Sequence, residues 1–216
     1  MGLILAEDDR HIWLEKPAGC PVFPPHDRPG GDCLLARLVE SRPDQAGDFP
    51  EGFEGGIAHR LDVPTSGVVL ACKGLGELAE ARAAFRDRRL RKTYLFLTDR
   101  KVSWADHHVT SRIAHHRKDR RRMVIERGRA TPHRGRWYDA DTRLRHLGGP
   151  LWEAVIVTGV MHQIRLHAAS VGLALSGDRL YGGRGDEPFR LHHCCLGGIG
   201  DCPRSEPEWA LLELAP

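Results

Sequence analysis

The sequence predicts a single mixed α/β (α+β) domain spanning residues 1–216, and three observations lead there. The unbroken apolar run Val68-Val69-Leu70-Ala71-Cys72 has the length and β-branched content of a buried strand. Leu75, Leu78, Ala81 and Phe85 then recur at helical spacing, while residues 92–97 alternate as a strand does. No internal repeat or low-complexity linker divides the 216 residues, a length that suits one substantial core.

Taken in order, residues 12–15 read as a short strand closed by Lys16-Pro17-Ala18-Gly19. Residues 21–31 are Pro- and Gly-rich loop, residues 34–40 a short helix, and residues 42–56 a polar surface loop. The helix after the 68–72 strand is expected over 75–90, its last turns gathering Arg82, Arg86, Arg88 and Arg89. In the next strand Lys92, Tyr94 and Phe96 share one face, so Tyr94 and Lys92 line a cleft together. Residues 104–136 are the most basic and least periodic, mostly loop or edge strands, with a short strand at 123–126. Residues 152–158 form another strand. Residues 162–171 form a helix that buries Ile164, Ala168 and Val171 and stops at Gly172.

Composition excludes several classes. Hydrophobic residues make up 41% and charged residues 28%, as in an ordinary globular protein. No apolar run approaches the length of a bilayer span, and residues 1–6 are too short and uncharged for a signal peptide. A cytoplasmic protein without membrane contact is expected. The six cysteines include no C-x-x-C and are read as reduced thiols. His192-His193-Cys194-Cys195 with Cys202 invites a metal, but adjacent side chains on a strand point to opposite faces and chelate poorly. No metal and no cofactor is expected. No glycine-rich phosphate loop is present either.

The net charge of +3 conceals a division. Residues 82–145 hold 20 Lys and Arg against 7 Asp and Glu, a balance of +13, leaving 12 against 22 elsewhere, a balance of −10. Solubility needs only mixed signs, so a face that attracts polyanions is the simpler reading. Its centre is Arg117-Lys118-Asp119-Arg120-Arg121-Arg122.

The most informative stretch is His59-Arg60-Leu61-Asp62-Val63-Pro64-Thr65-Ser66-Gly67. A turn followed at once by a buried strand presents one carboxylate, Asp62, beside fixed positive charge. This stretch resembles the His-Arg-Leu-Asp-x-x-Thr-Ser-Gly signature of the RluA-type pseudouridine synthases, which isomerise uridine in structured RNA. Further blocks follow in the family's order: Lys16-Pro17-Ala18-Gly19, Arg91-Lys92-Thr93-Tyr94, Thr158-Gly159, His162-Gln163-Ile164-Arg165-Leu166-His167, Gly177-Asp178 and Tyr181-Gly182. The resemblance covers about residues 12–196.

It implies a mixed, largely antiparallel central sheet flanked by helices, with a catalytic cleft. It implies Asp62 as the catalytic carboxylate, either attacking ribose C1′ or taking a sugar proton so that a glycal forms. Arg165 falls in the first turn of its helix, where a cation is disfavoured unless a carboxylate faces it. By resemblance it meets Asp62 and keeps that acid ionised. Tyr94 is the active-site tyrosine, the surface for an extruded uracil. Arg60 and His59 support the turn or meet phosphate, and Arg60 is linked to displacing the base. Gln163, His162 and Lys92 are supporting or phosphate-contacting groups. Arg117, Arg120, Arg121 and Arg122 contact RNA.

The chain departs from the family at Val160-Met161, where relatives read Arg-Thr. The signature also arrives too early for the small N-terminal RNA-binding domain of many relatives. A monomer that binds structured rRNA or tRNA, and not DNA, is the expectation. A non-catalytic RNA-binding protein or chaperone on the same scaffold is the alternative. A weaker one is a metal-dependent nuclease using His107-His108 and His115-His116 with Asp62.

Overall fold

The structure is a computed structural model and describes residues 2–25 and 29–214. In chain order its elements are β1 (Ile4–Glu7), β2 (His11–Lys16), α1 (Leu34–Ser41), β3 (Ser66–Cys72), α2 (Leu75–Arg86) and β4 (Arg91–Leu97). They continue with β5 (Asp106–Val109), β6 (Ile113–His116), β7 (Met123–Ile125), β8 (His133–Tyr138), β9 (Thr142–Gly148) and β10 (Leu151–Ile156). The last are α3 (Gln163–Ser170), β11 (Leu191–Gly197) and α4 (Glu208–Leu214). Two short 3-10 turns, Pro43–Ala46 and Glu54–Gly56, interrupt the loop expected over 42–56. The chain forms two compact units, Met1–Leu90 with His192–Pro207 and Arg91–Leu191 with Glu208–Pro216.

The first unit carries the strand order β1-β2-β3-β11. β2 runs antiparallel to both β1 and β3, with Ile12 opposite Ala71 and Leu14 opposite Val69. β11 joins β3 in parallel, His193 opposite Gly67. Six of the seven residues of β3 are buried, which is why its sequence reads as a continuous apolar run. Trp13, Val68, Leu70 and Cys72 pack with Leu78, Ala81, Ala84 and Leu196.

α2 buries Leu78, Ala81 and Ala84, whereas Leu75, expected on the buried side, is 57% exposed. Leu75 opens the first turn, ahead of the part of the helix that lies on the core. The helix also stops at Arg86, short of the expected 90. Arg88 turns left-handed at φ 56°, and the Arg89 N–H closes back on the Ala84 carbonyl at 2.9 Å.

The second unit carries β4-β10-β9-β5, every neighbouring pair antiparallel. A separate antiparallel sheet has the order β7-β6-β8. The basic stretch 104–136 therefore holds four strands, and β5, β7 and β8 are edge strands as the weak periodicity suggested. Ile113, Met123, Ile125, Ala140 and Leu166 form a small core beneath that second sheet. The strands are mainly antiparallel in a mixed α+β chain, as the resemblance implied.

Gly67 explains part of the signature. Its φ of 116° is open to glycine alone, and a Cβ there would stand 2.2 Å from the His193 carbonyl oxygen of β11. Gly67→Ala is therefore expected to lower unfolding stability by about 2 kcal/mol or more. A shift of the urea midpoint at unchanged slope is the measurement, and an unshifted midpoint contradicts the close approach.

Candidate active site

In the first unit the signature residues form a pinned turn. The Thr65 N–H donates to the Asp62 carbonyl at 3.0 Å, and the Asp62 side chain is half-buried between buried Leu61 and buried Thr65. The next carbonyl, that of Val63, is gripped twice, by the Gly19 N–H at 2.8 Å and by Lys16 Nζ at 3.1 Å. Lys16 is 0% exposed and also donates to the carbonyls of Pro17 (3.0 Å) and Cys20 (2.7 Å). An ammonium has three N–H donors, so Lys16 clamps residues 16–20 to the residue after Asp62 with all of them. Burial pushes its pKa down to about 8, against the opposing pull of nearby negative groups that include Asp62 and Glu15.

The far end of the turn is held by a second device. Ser66 Oγ lies 2.9 Å from His192 Nδ1, His192 Nε2 lies 3.0 Å from Ser205 Oγ, and Ser205 donates to Glu15 at 2.7 Å. Since Ser205 gives its proton to a carboxylate, it accepts from His192, which therefore carries Nε2–H and receives the Ser66 proton at Nδ1. Burial drives His192 down to about 4, so the imidazole stays neutral. His59 is also turned inward: its Nε2 accepts from the Leu70 N–H at 3.2 Å, with its ring against Phe85 and His193. Arg60 is exposed.

In the second unit Arg165 is 5% exposed and Asp178 1% exposed. Arg165 donates from Nε and Nη2 to the two Asp178 oxygens at 2.7 and 2.8 Å. The Leu180 N–H completes the Asp178 shell at 3.1 Å, and the rings of Tyr181 and Phe189 lie 5.2 Å from the guanidinium. Two of the five guanidinium donors serve Asp178, which fixes the plane of the group. The Gly177-Asp178 block was legible in the sequence, but the identity of its partner was not.

Tyr181 gathers several of the expected residues. Its hydroxyl accepts from the Met123 N–H at 2.8 Å and lies 2.9 Å from His162 Nδ1, while Arg122 reaches over its ring at 5.9 Å. His162 holds a left-handed backbone at φ 58°, the bend that starts α3. Gln163 is wholly engaged: its Oε1 accepts from Thr158 and Val160, and its Nε2 donates to the Asp141 carbonyl and Thr142. That amide staples the loop before α3 to the start of β9. Tyr94 and Lys92 are both buried on β4, opposite Ala154 and Ile156 of β10. Lys92 Nζ lies so close to Gly159 that a Cβ there would approach it to 2.8 Å, and burial lowers its pKa to about 8.

Arg117, Arg120, Arg121 and Arg122 are exposed together in the turn joining β6 to β7. His107 and His108 lie on β5 and His115 and His116 on β6, in different sheets. Among the described residues no group of three His, Cys, Asp or Glu side chains could hold a metal ion, and no helix is long and apolar enough to cross a membrane.

The sequence profile described as RNA pseudouridylate synthase matches residues 10–170. The chain belongs to the RNA pseudouridylate synthase family. This bears out the resemblance carried by residues 59–67. Ribosomal large subunit pseudouridine synthase D of Nitrosomonas europaea is 32% identical over 186 residues, covering 86% of this chain and 51% of that protein. The protein of the same name from Xylella fastidiosa is 34% identical over 183 residues, covering 83% of this chain and 51% of its own. The chain thus spans about half the length of these curated relatives. Human RNA pseudouridylate synthase domain containing 1 superposes with a TM-score of 0.72 at 24% identity, over 95% of this chain and 82% of that one. Human RNA pseudouridylate synthase domain containing 4 gives 0.72 at 22%, over 98% and 91%. Both show a shared fold.

Val160, one of the two residues that depart from the family pattern, is partly buried. Its side chain packs against the small core of Ile113, Met123 and Leu166, so an apolar residue is accommodated there.

Two buried lysines titrating near 8 have a measurable consequence. Between about pH 8 and 10.5 the unfolded chain holds protons that Lys16 and Lys92 have lost in the folded state. The folding free energy therefore becomes more favourable as pH rises through that window. Lysine NMR titration is expected to show two resonances with midpoints near 8, each removed by Lys16→Met or Lys92→Met. Midpoints above 10 for both contradict the burial argument.

Proposed function

We propose that this chain converts uridine to pseudouridine in structured ribosomal or transfer RNA. The observation that carries the reading is the pinned Asp62 turn in a chain whose family is RNA pseudouridylate synthase. The reaction breaks the bond between uracil N1 and ribose C1′, turns the base, and joins C5 to C1′. Asp62 serves as the carboxylate that attacks C1′ or removes the sugar proton. Both routes need it ionised. Arg165, its plane fixed by Asp178, supplies the cation that keeps a carboxylate charged. Tyr94 gives the extruded uracil an aromatic face, and Arg60 contributes to displacing the base from its stack. No step requires a metal or an organic cofactor. The relatives named for the large ribosomal subunit favour ribosomal RNA as the first substrate to test.

The direct experiment is carbodiimide-based mapping of pseudouridine in total RNA from cells with and without the protein. A site that vanishes with the gene and returns with the wild-type chain supports the reading, and an unchanged map ends it. Asp62→Asn is expected to lower isomerisation by about a thousandfold or more while RNA affinity stays within about twofold. If that variant keeps its activity, the reacting carboxylate lies elsewhere. If the wild type binds RNA and modifies none, the chain is a binding protein.

Recognition is expected to lean on the β6–β7 turn. Replacing Arg117, Arg120, Arg121 and Arg122 with glutamate should weaken RNA binding and flatten the slope of log affinity against log salt by several units. An unchanged slope would assign phosphate contact to another surface.

A further inference from the structure

A cavity of about 750 Å³ lies wholly within the second unit, between the β6–β7 hairpin, the 127–132 loop and one flank of α3. The roles assigned to Asp62, Tyr94 and Arg165 make no use of it. Its lining combines two chemistries. Met123, Ile125 and Leu166 are apolar, while Arg122, Arg127 and His116 are cationic or polar. His116 accepts at Nδ1 from the Asp119 N–H at 2.9 Å, so its Nε2 carries the proton and is a donor. No Asp or Glu is among the lining residues. A site with guanidinium and imidazole donors, no acid and an apolar floor suits a ligand that is anionic at one end and flat and apolar at the other. The volume falls in the range of small-ligand sites, roughly 300–1,000 Å³, and exceeds what a lone phosphate needs.

We propose that this cavity receives a second unstacked nucleotide of the RNA substrate, distinct from the uridine that is isomerised. The inference rests on the RNA-modifying function proposed above. An RNA strand is favoured over a free nucleotide by what adjoins the cavity. The loop forming one wall runs directly into β8, where Arg134 and Arg136 are exposed and the Arg136 guanidinium lies 4.8 Å over the Tyr138 ring. On the other side is the exposed arginine turn of residues 117–122. Both offer phosphate contacts to the nucleotides flanking an inserted one, which a mononucleotide does not have. Tyr181 also lines the cavity, and its ring backs the Arg165 guanidinium at 5.2 Å. An occupant thus bears on a ring packed against Arg165, whose plane Asp178 fixes, and this links recognition of a neighbouring nucleotide to the state of the reactive site.

The test uses the full chain with labelled Met, Ile and Ala methyl groups, and adenosine monophosphate as probe. Adenosine monophosphate is expected to shift the Met123, Ile125 and Ala169 resonances, and inorganic phosphate at the same concentration is not. A short single-stranded RNA is expected to displace it. Arg122→Gln with Arg127→Gln, both at exposed positions, should weaken the probe by about tenfold or more at unchanged melting temperature. Unmoved methyls overturn the proposal, as does an equal response to phosphate, which marks an anion site only. Retention of the probe under saturating RNA also overturns it, by marking a site for a free nucleotide. Pseudouridine mapping on the same preparation separates the two readings. A modified uridine with no methyl response removes the cavity proposal alone, whereas displacement of the probe by RNA without any modified uridine removes the isomerase.

Discussion

A guanidinium taken out of water is tolerable only where its donors are met and its charge is balanced, and Arg165 shows how the second unit arranges this. Asp178 supplies the balancing charge in bidentate geometry, the Leu180 N–H satisfies the same carboxylate, and two aromatic rings close over the cation. Losing one member of such a pair typically costs about 3–5 kcal/mol, because the other is then left charged and unmatched. The pair adds little net stability over an apolar substitute, so its benefit is geometric. It ties α3 to the loop at residues 177–182 and fixes the orientation of one cation. Arg165 sits in the first turn of a helix, where the macrodipole opposes it, and Asp178 offsets that opposition as well.

The first unit holds the turn that carries Asp62 steady through its backbone. The clamp acts on backbone carbonyls. Lys16 binds three carbonyls, one of them belonging to Val63, the residue after Asp62, and the neutral His192 fixes Ser66 three residues beyond Val63. Lys16 stabilises the turn through carbonyl dipoles, and its charge also attracts Asp62. Gly67 completes the turn by letting β3 approach β11 where any side chain would collide.

Much of this was legible in the sequence, and the gaps have physical causes. β3, β4, β10 and α3 announce themselves because each buries most of its residues, so apolar runs and spacing track the fold directly. β9 escaped notice. Thr142 and Leu144 face inward, but Arg143, Arg145 and His146 fill the exposed positions, and so many charges disguise a half-buried strand as a basic loop. β5 and β8 are edge strands with few buried residues and leave still less trace. The family resemblance named Asp62, Tyr94 and Arg165, but it said nothing of Asp178 as the partner of Arg165. Nor did it indicate that Lys16 and Gln163 spend their polar groups on the protein's own backbone. Such roles depend on which distant carbonyl arrives beside a side chain, and sequence spacing does not encode that.

The basic segment can now be divided by what its charges already do. Arg112 is paired with Glu126, Arg145 with Glu153 and Arg121 with Asp119. Exposed pairs of this kind are worth little to stability, but they blunt the field the arginines project. Among the described residues Arg117, Arg120 and Arg122 have no such carboxylate, although all three sit in one short turn with their like charges crowded together. A merely solvated face gains nothing from that crowding, since mixed signs would serve solubility better. Uncompensated repulsion at the tip of a hairpin is a standing cost that disappears when a polyanion arrives. If RNA phosphate binds there, as proposed, relief of repulsion within the turn adds to counterion release.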